Sequence, residues 1–350
     1  MVTLTDVAKL AGVSASTVSR VVNQNGYVSE EIADRVKKAV VELDYRPNGV
    51  ARSFRSKTTM TVGVVVADLT NLYFMEALRG VEEILSPEGY LLLIASANNL
   101  VSKEIQYCTE LDRRRVDGIV LASAGASGPQ LAKVFGKRKT VVLIDRIVER
   151  AQFDCVLDNN DEGVRLLVDY LLHQGHEHFG IVSGPQYITA GAERLSAFEK
   201  YLTQAGFSLP QAWRWIGDEF SEDYGYRAGH LIADLRERPS VVFCANNVLS
   251  AGLLTAFAER HVAVPDDISI VSYGAIQNGH LFRTTMTQIE QPARQTGRIA
   301  AERLLRRLRH EDSLSQEITR LVPKLSLGTS VKLVNARGAR RMCETDYGKG

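Results

Sequence analysis

A chain of 350 residues with 45% apolar content and a formal net charge of +1 is too long for one ordinary domain and has the composition of a folded protein of two or three. No stretch approaches a membrane span, the N-terminus lacks the apolar run of a signal peptide, and Cys108, Cys155, Cys244 and Cys343 show no paired spacing, so membrane, exported, disulfide-rich and zinc-ribbon classes are not expected. The first sixty residues carry nine Lys and Arg against six acids, whereas the remainder is slightly acidic, which suits a nucleic-acid partner for the N-terminal part of a cytoplasmic protein.

Residues 3–23, TLTDVAKLAGVSASTVSRVVN, read as two short helices around a tight turn. Thr5 is the expected N-cap of the first, with Asp6 at its positive end. Val7, Ala8 and Ala11 give it an apolar face, and Gly12 suits a left-handed C-terminal position. Ser14 is placed to cap the second helix, which buries Val18, Val21 and Val22. Its other face opens with Ala15, Ser16 and Thr17 and carries Arg20. That is either an ordinary helical hairpin or a helix-turn-helix whose second helix offers those four side chains to base edges in a DNA major groove.

Ser29 begins a third helix with Glu30 and Glu31 in its first turn. Ile32, Val36, Ala39, Val40 and Leu43 recur at helical spacing and can close a small core. Arg35, Lys37 and Lys38 fall on other faces, to reach phosphates or to sit in solvent. Tyr45-Arg46-Pro47-Asn48 stops the helix. The basic segment Gly49–Lys57 that follows is too short to be a stable helix alone.

From residue 61 onward, apolar strands alternate with amphipathic helices. Strands are predicted at Thr61–Ala67, Tyr90–Ala95, Gly118–Leu121, Thr140–Ile144, Phe179–Val182, Val241–Cys244 and Ile268–Ser272, with helices such as Phe74–Leu85, Glu162–His173 and Leu249–Arg260. Continuous apolar strands separated by helices mean parallel sheets covered on both faces, in two doubly wound lobes rather than one. Ligands of such sheets sit beyond the carboxyl ends of the strands, so two facing lobes share one cleft. His173, His176 and His178 cluster, but without Cys or carboxylates at ligand spacing they are assigned a structural role, and no metal or cofactor is expected. Ser183-Gly184-Pro185 is neither a nucleophile elbow nor a phosphate-binding loop. No catalytic constellation has a telling spacing, which weighs against an enzyme.

The stretches TDVAKLAGVSASTVSRVVN and VSEEIADRVKKAVVELDYRPNGVARSFRS, then TVGVVVADLTNLYF, RVDGIVLAS, VVLIDR, HQGHEHFGIVSGP, VFCANN, VPDDISIVSYG and TQIEQP, strongly resemble the lactose-repressor (LacI-type) family of bacterial transcription regulators over about residues 3–330. The resemblance implies an all-α helix-turn-helix headpiece (1–47), a hinge helix and linker (48–60), and a two-lobed α/β effector domain of the periplasmic-binding-protein type (61–332). The implied lobes are 61–158 plus 290–318 and 159–288 plus 319–332, with crossovers near Asn159, Gln288 and Thr319. Residues 333–350 show no apolar periodicity and no leucine heptad, so a disordered tail is expected and a helical tetramerisation tail is not.

The implied partners are a pseudo-palindromic operator, read in the major groove and at its central minor groove, and a second copy of the chain in a homodimer. Ala51, Arg52, Phe54 and Arg55 of the hinge fall at minor-groove positions, with Phe54 standing where the family has a leucine wedge. The implied effector site, position by position, is Tyr73, Phe74, Asp145, Arg146, Arg194, Phe220, Asn246 and Asn247. Two departures bear on the effector. Gly274 stands where the family usually has a ligand-binding aspartate, and Ile188 stands where purine repressors have an arginine. They argue against a purine and against ordinary pyranose recognition, so that among the sugar, sugar acid or sugar phosphate effectors the resemblance implies, a sugar acid or sugar phosphate held by Arg194 and Arg146 is open. The competing class, a sugar-binding transport component, shares the two lobes but needs a signal peptide and no headpiece.

Overall fold

A computed structural model describes residues 2–22, 25–45, 58–136, 140–276, 279, 284–309 and 315–334. It divides into two compact units that separate at Met60–Thr61. Most of the hinge (48–60), including Ala51, Arg52, Phe54 and Arg55, and most of the 333–350 tail lie outside the described residues.

The N-terminal unit holds three helices, α1 (Leu4–Ala11), α2 (Ala15–Val22) and α3 (Glu30–Glu42). The cap of α1 is Thr3 rather than Thr5. Asp6 lies three residues after Thr3, so the two cap reciprocally: Asp6 N donates to Thr3 Oγ1 at 3.3 Å and Thr3 N donates to Asp6 Oδ2 at 2.8 Å. Those bonds hold the Asp6 carboxyl below its usual value. Gly12 ends the helix at φ 63°, as a left-handed C-cap. Ser14 Oγ accepts from Thr17 N at 3.2 Å and starts α2. Ser29 caps α3 by backbone conformation only, without a side-chain bond. Val7, Ala8, Ala11, Val18, Val36 and Ala39 form the core, joined by Tyr45, while Ile32 is half-buried outside that cluster.

The second unit is built on two six-stranded sheets. Sheet one has the order β11-β5-β4-β3-β1-β2, from Ile318–Leu321, Asp154–Asp158, Val141–Ile144, Gly118–Leu121, Thr61–Val66 and Leu91–Ser96. Sheet two has the order β12-β10-β9-β8-β6-β7, from Lys324–Ser326, Thr287–Glu290, Ser269–Tyr273, Val241–Cys244, Phe179–Ser183 and Arg214–Ile216. Every pairing is parallel except β10 with β12. Helices cover both sheets: α4 (Leu72–Leu85), α5 (Val101–Arg113), α6 (Gly128–Phe135), α7 (Asn160–His173), α8 (Thr189–Gln204), α9 (Glu222–Ala233), α10 (Asn247–Glu259) and α11 (Ala293–Leu308). Gly80 of α4 and Gly297 of α11 face each other. A Cβ on either would strike the other helix's backbone, so the two glycines set how closely these helices pack.

The chain passes between the sheets after β5, after β10 and after β11. The third passage follows Leu321 and is not at Thr319, because Thr319 pairs with Val156 inside sheet one. Strand β10 also belongs whole to sheet two, so the second passage comes after Glu290. Strand β5, DCVLD, carries no clear strand signal in sequence, since two acids frame only three apolar residues. Tertiary pairing makes it a buried strand: Arg307 on α11 grips Asp154 at 2.7 and 2.8 Å. The histidines serve local structure. His173 Nδ1 bonds Asp169 O at 2.6 Å, and buried His176 bonds Ser240 Oγ at 2.8 Å.

Candidate functional site

In the N-terminal unit, α2 turns Val18 into the core, which leaves Ala15, Ser16 and Arg20 exposed on the outer side with Thr17 half-buried beside them. Ser14 Oγ bonds both Ser16 Oγ and Thr17 Oγ1 at 2.8 Å, so the hydroxyls at the start of the helix are pre-oriented. Arg35 has a different task from the phosphate contact open to it by sequence. Its guanidinium donates to Ala11 O (Nε, 3.1 Å) and Gly12 O (Nη2, 3.1 Å), satisfying carbonyls at the negative end of α1. Lys37 makes an exposed pair with Asp34 at 3.5 Å.

In the second unit, Tyr73, Phe74, Asp145, Arg146, Arg194, Phe220, Asn246 and Asn247 all line one cavity between the lobes. They come from strand ends and helix starts that are far apart in sequence. The cavity is narrow, about 20 Å³, near the size that holds a single water. Arg146 and Arg194 are buried in its wall at 6% and 4% exposure. Arg146 Nε donates to Asp145 Oδ2 at 3.0 Å and its Nη1 to Ser123 O at 2.7 Å. Asp145 itself adopts φ 67°, a strained conformation of the kind that gathers at functional sites. Arg194 lies 3.7 Å above the ring of Tyr273, and donates from Nε to Asn160 Oδ1 at 2.8 Å and from Nη1 to Ala245 O at 2.7 Å. Tyr73 and Phe74 meet edge to face at 5.2 Å, and Phe220 packs over Gly184.

Asn246 spends its side-chain oxygen on the N-cap of α10, accepting from Leu249 N at 2.8 Å. Asn247 Nδ2 reaches across to Asn71 Oδ1 at 3.1 Å and to Ala275 O at 3.0 Å. The cavity wall also contains Asn71, Ala190 and Gln291, which the sequence reading missed. Gln291 had a signal, since it directly follows a strand end in TQIEQP. Beside them Asp158 is buried and accepts from Gln291 Nε2, while its Oδ1 has no partner among the described residues. Burial raises its carboxyl to about 6, against the lowering pull of Gln291 and Arg194. The set therefore offers guanidinium N–H groups, carboxylate oxygens and aromatic faces to one small volume, the chemistry that orients hydroxyls over an apolar ring face.

Residues 3–48 match the family "Bacterial regulatory proteins, lacI family", and residues 168–331 match the "Periplasmic binding protein-like domain". The HTH-type transcriptional repressor PurR of Vibrio atlanticus (strain LGP32) is 34% identical over 337 residues, spanning 96% of this chain and all of that one. The chain belongs to the lacI family of bacterial regulatory proteins. PurR of Escherichia coli O139:H28 is 35% identical over 332 residues, 93% of this chain and 97% of its own. The lac repressor dimer bound to operator and the anti-inducer ONPF shares the fold, with a TM-score of 0.83 at 24% identity over 95% of this chain and 99% of that one. The CelR–cellobiose complex aligns with a TM-score of 0.70 at 28% identity, over 94% and 100% of the two chains. A LacI-family regulator from Enterococcus faecium with bound ribose aligns at 0.69 and 26%, over 79% and 100%.

As a lacI-family regulator, the chain has the helix-turn-helix and the two-sheet α/β body that the sequence predicted. Its departure at Gly274 has a steric meaning. Gly274 has φ 94°, and a Cβ there would stand 2.8 Å from Gln291 Oε1. The Gln291 side chain takes the space an aspartate would need and spends its amide on Asp158. Ile188 is buried in the apolar cluster that includes Phe220. Among the described residues no three His, Cys, Asp or Glu side chains are grouped to hold a metal, and no helix is long and apolar enough to cross a membrane.

Proposed function

We propose that this lacI-family regulator is a repressor whose hold on DNA is controlled by a small polyhydroxylated effector, a sugar or a sugar derivative, bound between its lobes. One observation carries this reading. Eight side chains from opposite lobes, two of them buried arginines, meet at a single inter-lobe cavity. As it stands the cavity has room for about one water, so the lobes must part to admit a sugar. A ligand there then touches both lobes at once, so its binding energy depends on the angle between them, and that angle is the quantity an allosteric effector must bias. The cellobiose and ribose bound by the two structural relatives support a sugar-like effector.

On the DNA side, Ala15, Ser16, Thr17 and Arg20 read base edges in the major groove. Ala51, Arg52, Phe54 and Arg55 contact the central minor groove, where a phenyl ring can enter an opened base step. One headpiece makes too few contacts for a selective site, so the active species is a homodimer on a pseudo-palindromic operator. The lac repressor dimer on its operator supports that arrangement. The test is thermal unfolding of the full chain against panels of neutral sugars, sugar acids and sugar phosphates, because a bound ligand raises apparent stability. One class should raise the midpoint in wild type and fail to do so in Arg194→Met. No shift from any class, or an undiminished shift in Arg194→Met, overturns the effector reading.

A further inference from the structure

Behind the cleft, four side chains form an unbroken line of hydrogen bonds. Arg194 Nε donates to Asn160 Oδ1 at 2.8 Å, and Asn160 Nδ2 donates to Glu193 Oε2 at 2.8 Å. Glu193 in turn accepts two bonds from Arg320, Nη2 to Oε1 at 2.7 Å and Nη1 to Oε2 at 3.1 Å. Arg194, Asn160 and Glu193 stand on α7 and α8, which cover sheet two. Arg320 stands on β11 of sheet one, next to the third passage between the lobes, and its Nη1 also reaches the carbonyl of Asp158 at 3.4 Å. The line thus begins at a cleft arginine of one lobe and ends on a strand of the other.

The two ends differ in environment. Asn160 and Arg194 are buried at 2% and 4% exposure, where hydrogen bonds are strong and an unmade one is costly. The Glu193–Arg320 pair is partly exposed, so as an ion pair it adds little stability. Its two-point geometry nevertheless fixes where the Glu193 carboxylate sits. Asn160 is held at both ends of its amide, with the oxygen on Arg194 and the nitrogen on Glu193. It cannot shift toward one without straining its bond to the other.

We propose that Glu193 is a positioning residue, which couples the angle between the lobes to the aim of Arg194 in the cleft. A change in that angle moves Arg320 relative to α8, Glu193 follows it or releases it, and Asn160 passes the change to the Arg194 guanidinium. By linkage, a ligand that holds Arg194 favours one lobe angle by the same free energy. The proposal rests on Arg194 being an effector-binding group, but its test needs no effector.

The experiment follows the Arg194 Nε–H in the full-length chain labelled with 15N and 13C at arginine, its signal assigned through Arg194→Lys. Solvent exchange of that proton is measured in wild type, Glu193→Gln, Arg320→Gln and the double variant. Lys200→Gln serves as a control, because it breaks the Lys200–Asp161 pair (2.8 Å), which joins the same two helices away from the line. Each single variant should speed Arg194 exchange by about fivefold or more, the scale of one weakened hydrogen bond. The double variant should exchange no faster than either single one, Arg320→Lys should restore part of the protection, and the control should leave it unchanged. Wild-type exchange in Glu193→Gln or Arg320→Gln, or effects that multiply in the double variant, would overturn the coupling. A ligand panel without any hit would remove the effector reading and leave this result standing on its own.

Discussion

Asn247 Nδ2 donates to Asn71 Oδ1 at 3.1 Å, joining the first residue of α10 in one lobe to the N-cap of α4 in the other. Asn71 also accepts from Tyr73 N at 3.0 Å, and Asn247 also donates to Ala275 O at 3.0 Å. Each partner is therefore held by its own lobe before it meets the other. Both residues line the inner cavity, and both also line a wider groove of about 740 Å³.

Asn247→Ala removes both bonds and leaves Ala275 O without this donor. It should cost about 1 kcal/mol of stability. It should also let the lobes part, raising the radius of gyration of the body in small-angle scattering without effector. A scattering curve identical to wild type would show that other contacts hold the cleft shut.

Gly274→Asp, which restores the residue usual in the family, should destabilise the body rather than improve it. The backbone at φ 94° disfavours any L side chain, at about 1–3 kcal/mol, and the new Cβ displaces Gln291 from Asp158. Gly274→Ala should carry most of the same cost. Thermal unfolding of both variants checks this, and a neutral or stabilising Gly274→Asp refutes it.

Arg20 and Arg35 should separate DNA reading from headpiece stability. Arg20→Ala should weaken specific binding by about 1–3 kcal/mol and relax selectivity at one base pair per half-site, with protein stability little changed. Arg35→Gln should instead loosen the end of α1, because Ala11 and Gly12 lose their donor. Faster amide exchange in residues 4–22 should accompany it, with base preference intact on a randomised operator library. If Arg20→Ala keeps the wild-type preference, the recognition role moves to another residue.

His176 should make the body acid-sensitive. Burial lowers its pKa from about 6.5 to about 4, so the folded state resists a proton that the unfolded chain takes up readily. Its contribution is complete above about pH 6.5 and is lost as the pH falls toward 4, by about 3 kcal/mol in all. His176→Gln should flatten that part of the stability profile while costing some stability at pH 7 through Ser240. Equal slopes for wild type and variant between pH 6.5 and 4 would exclude His176 as the source.

Local chemistry made much of this molecule legible from its sequence. The apolar face of Val7, Ala8 and Ala11, the glycine at position 12 and the serine at position 14 specify helix, turn and helix within a dozen residues. The strands Gly118–Leu121 and Val241–Cys244 announce themselves as short apolar runs, because a strand buried on both faces has no polar side to interrupt it. The eight cleft positions could be named in advance only through family resemblance. Nothing local to Phe220 or Arg194 says that they share a cavity with Tyr73. Tertiary structure alone decided that Arg35 caps a helix 24 residues away, that Asp154 becomes part of a buried strand by pairing with Arg307, and that Gln291 fills the space beside Gly274 to reach Asp158 across 133 residues. Periodicity and capping act within a turn or two of chain and leave a trace in sequence. A buried charge or amide finds its partner wherever the folded chain brings one, and no sequence window spans that distance.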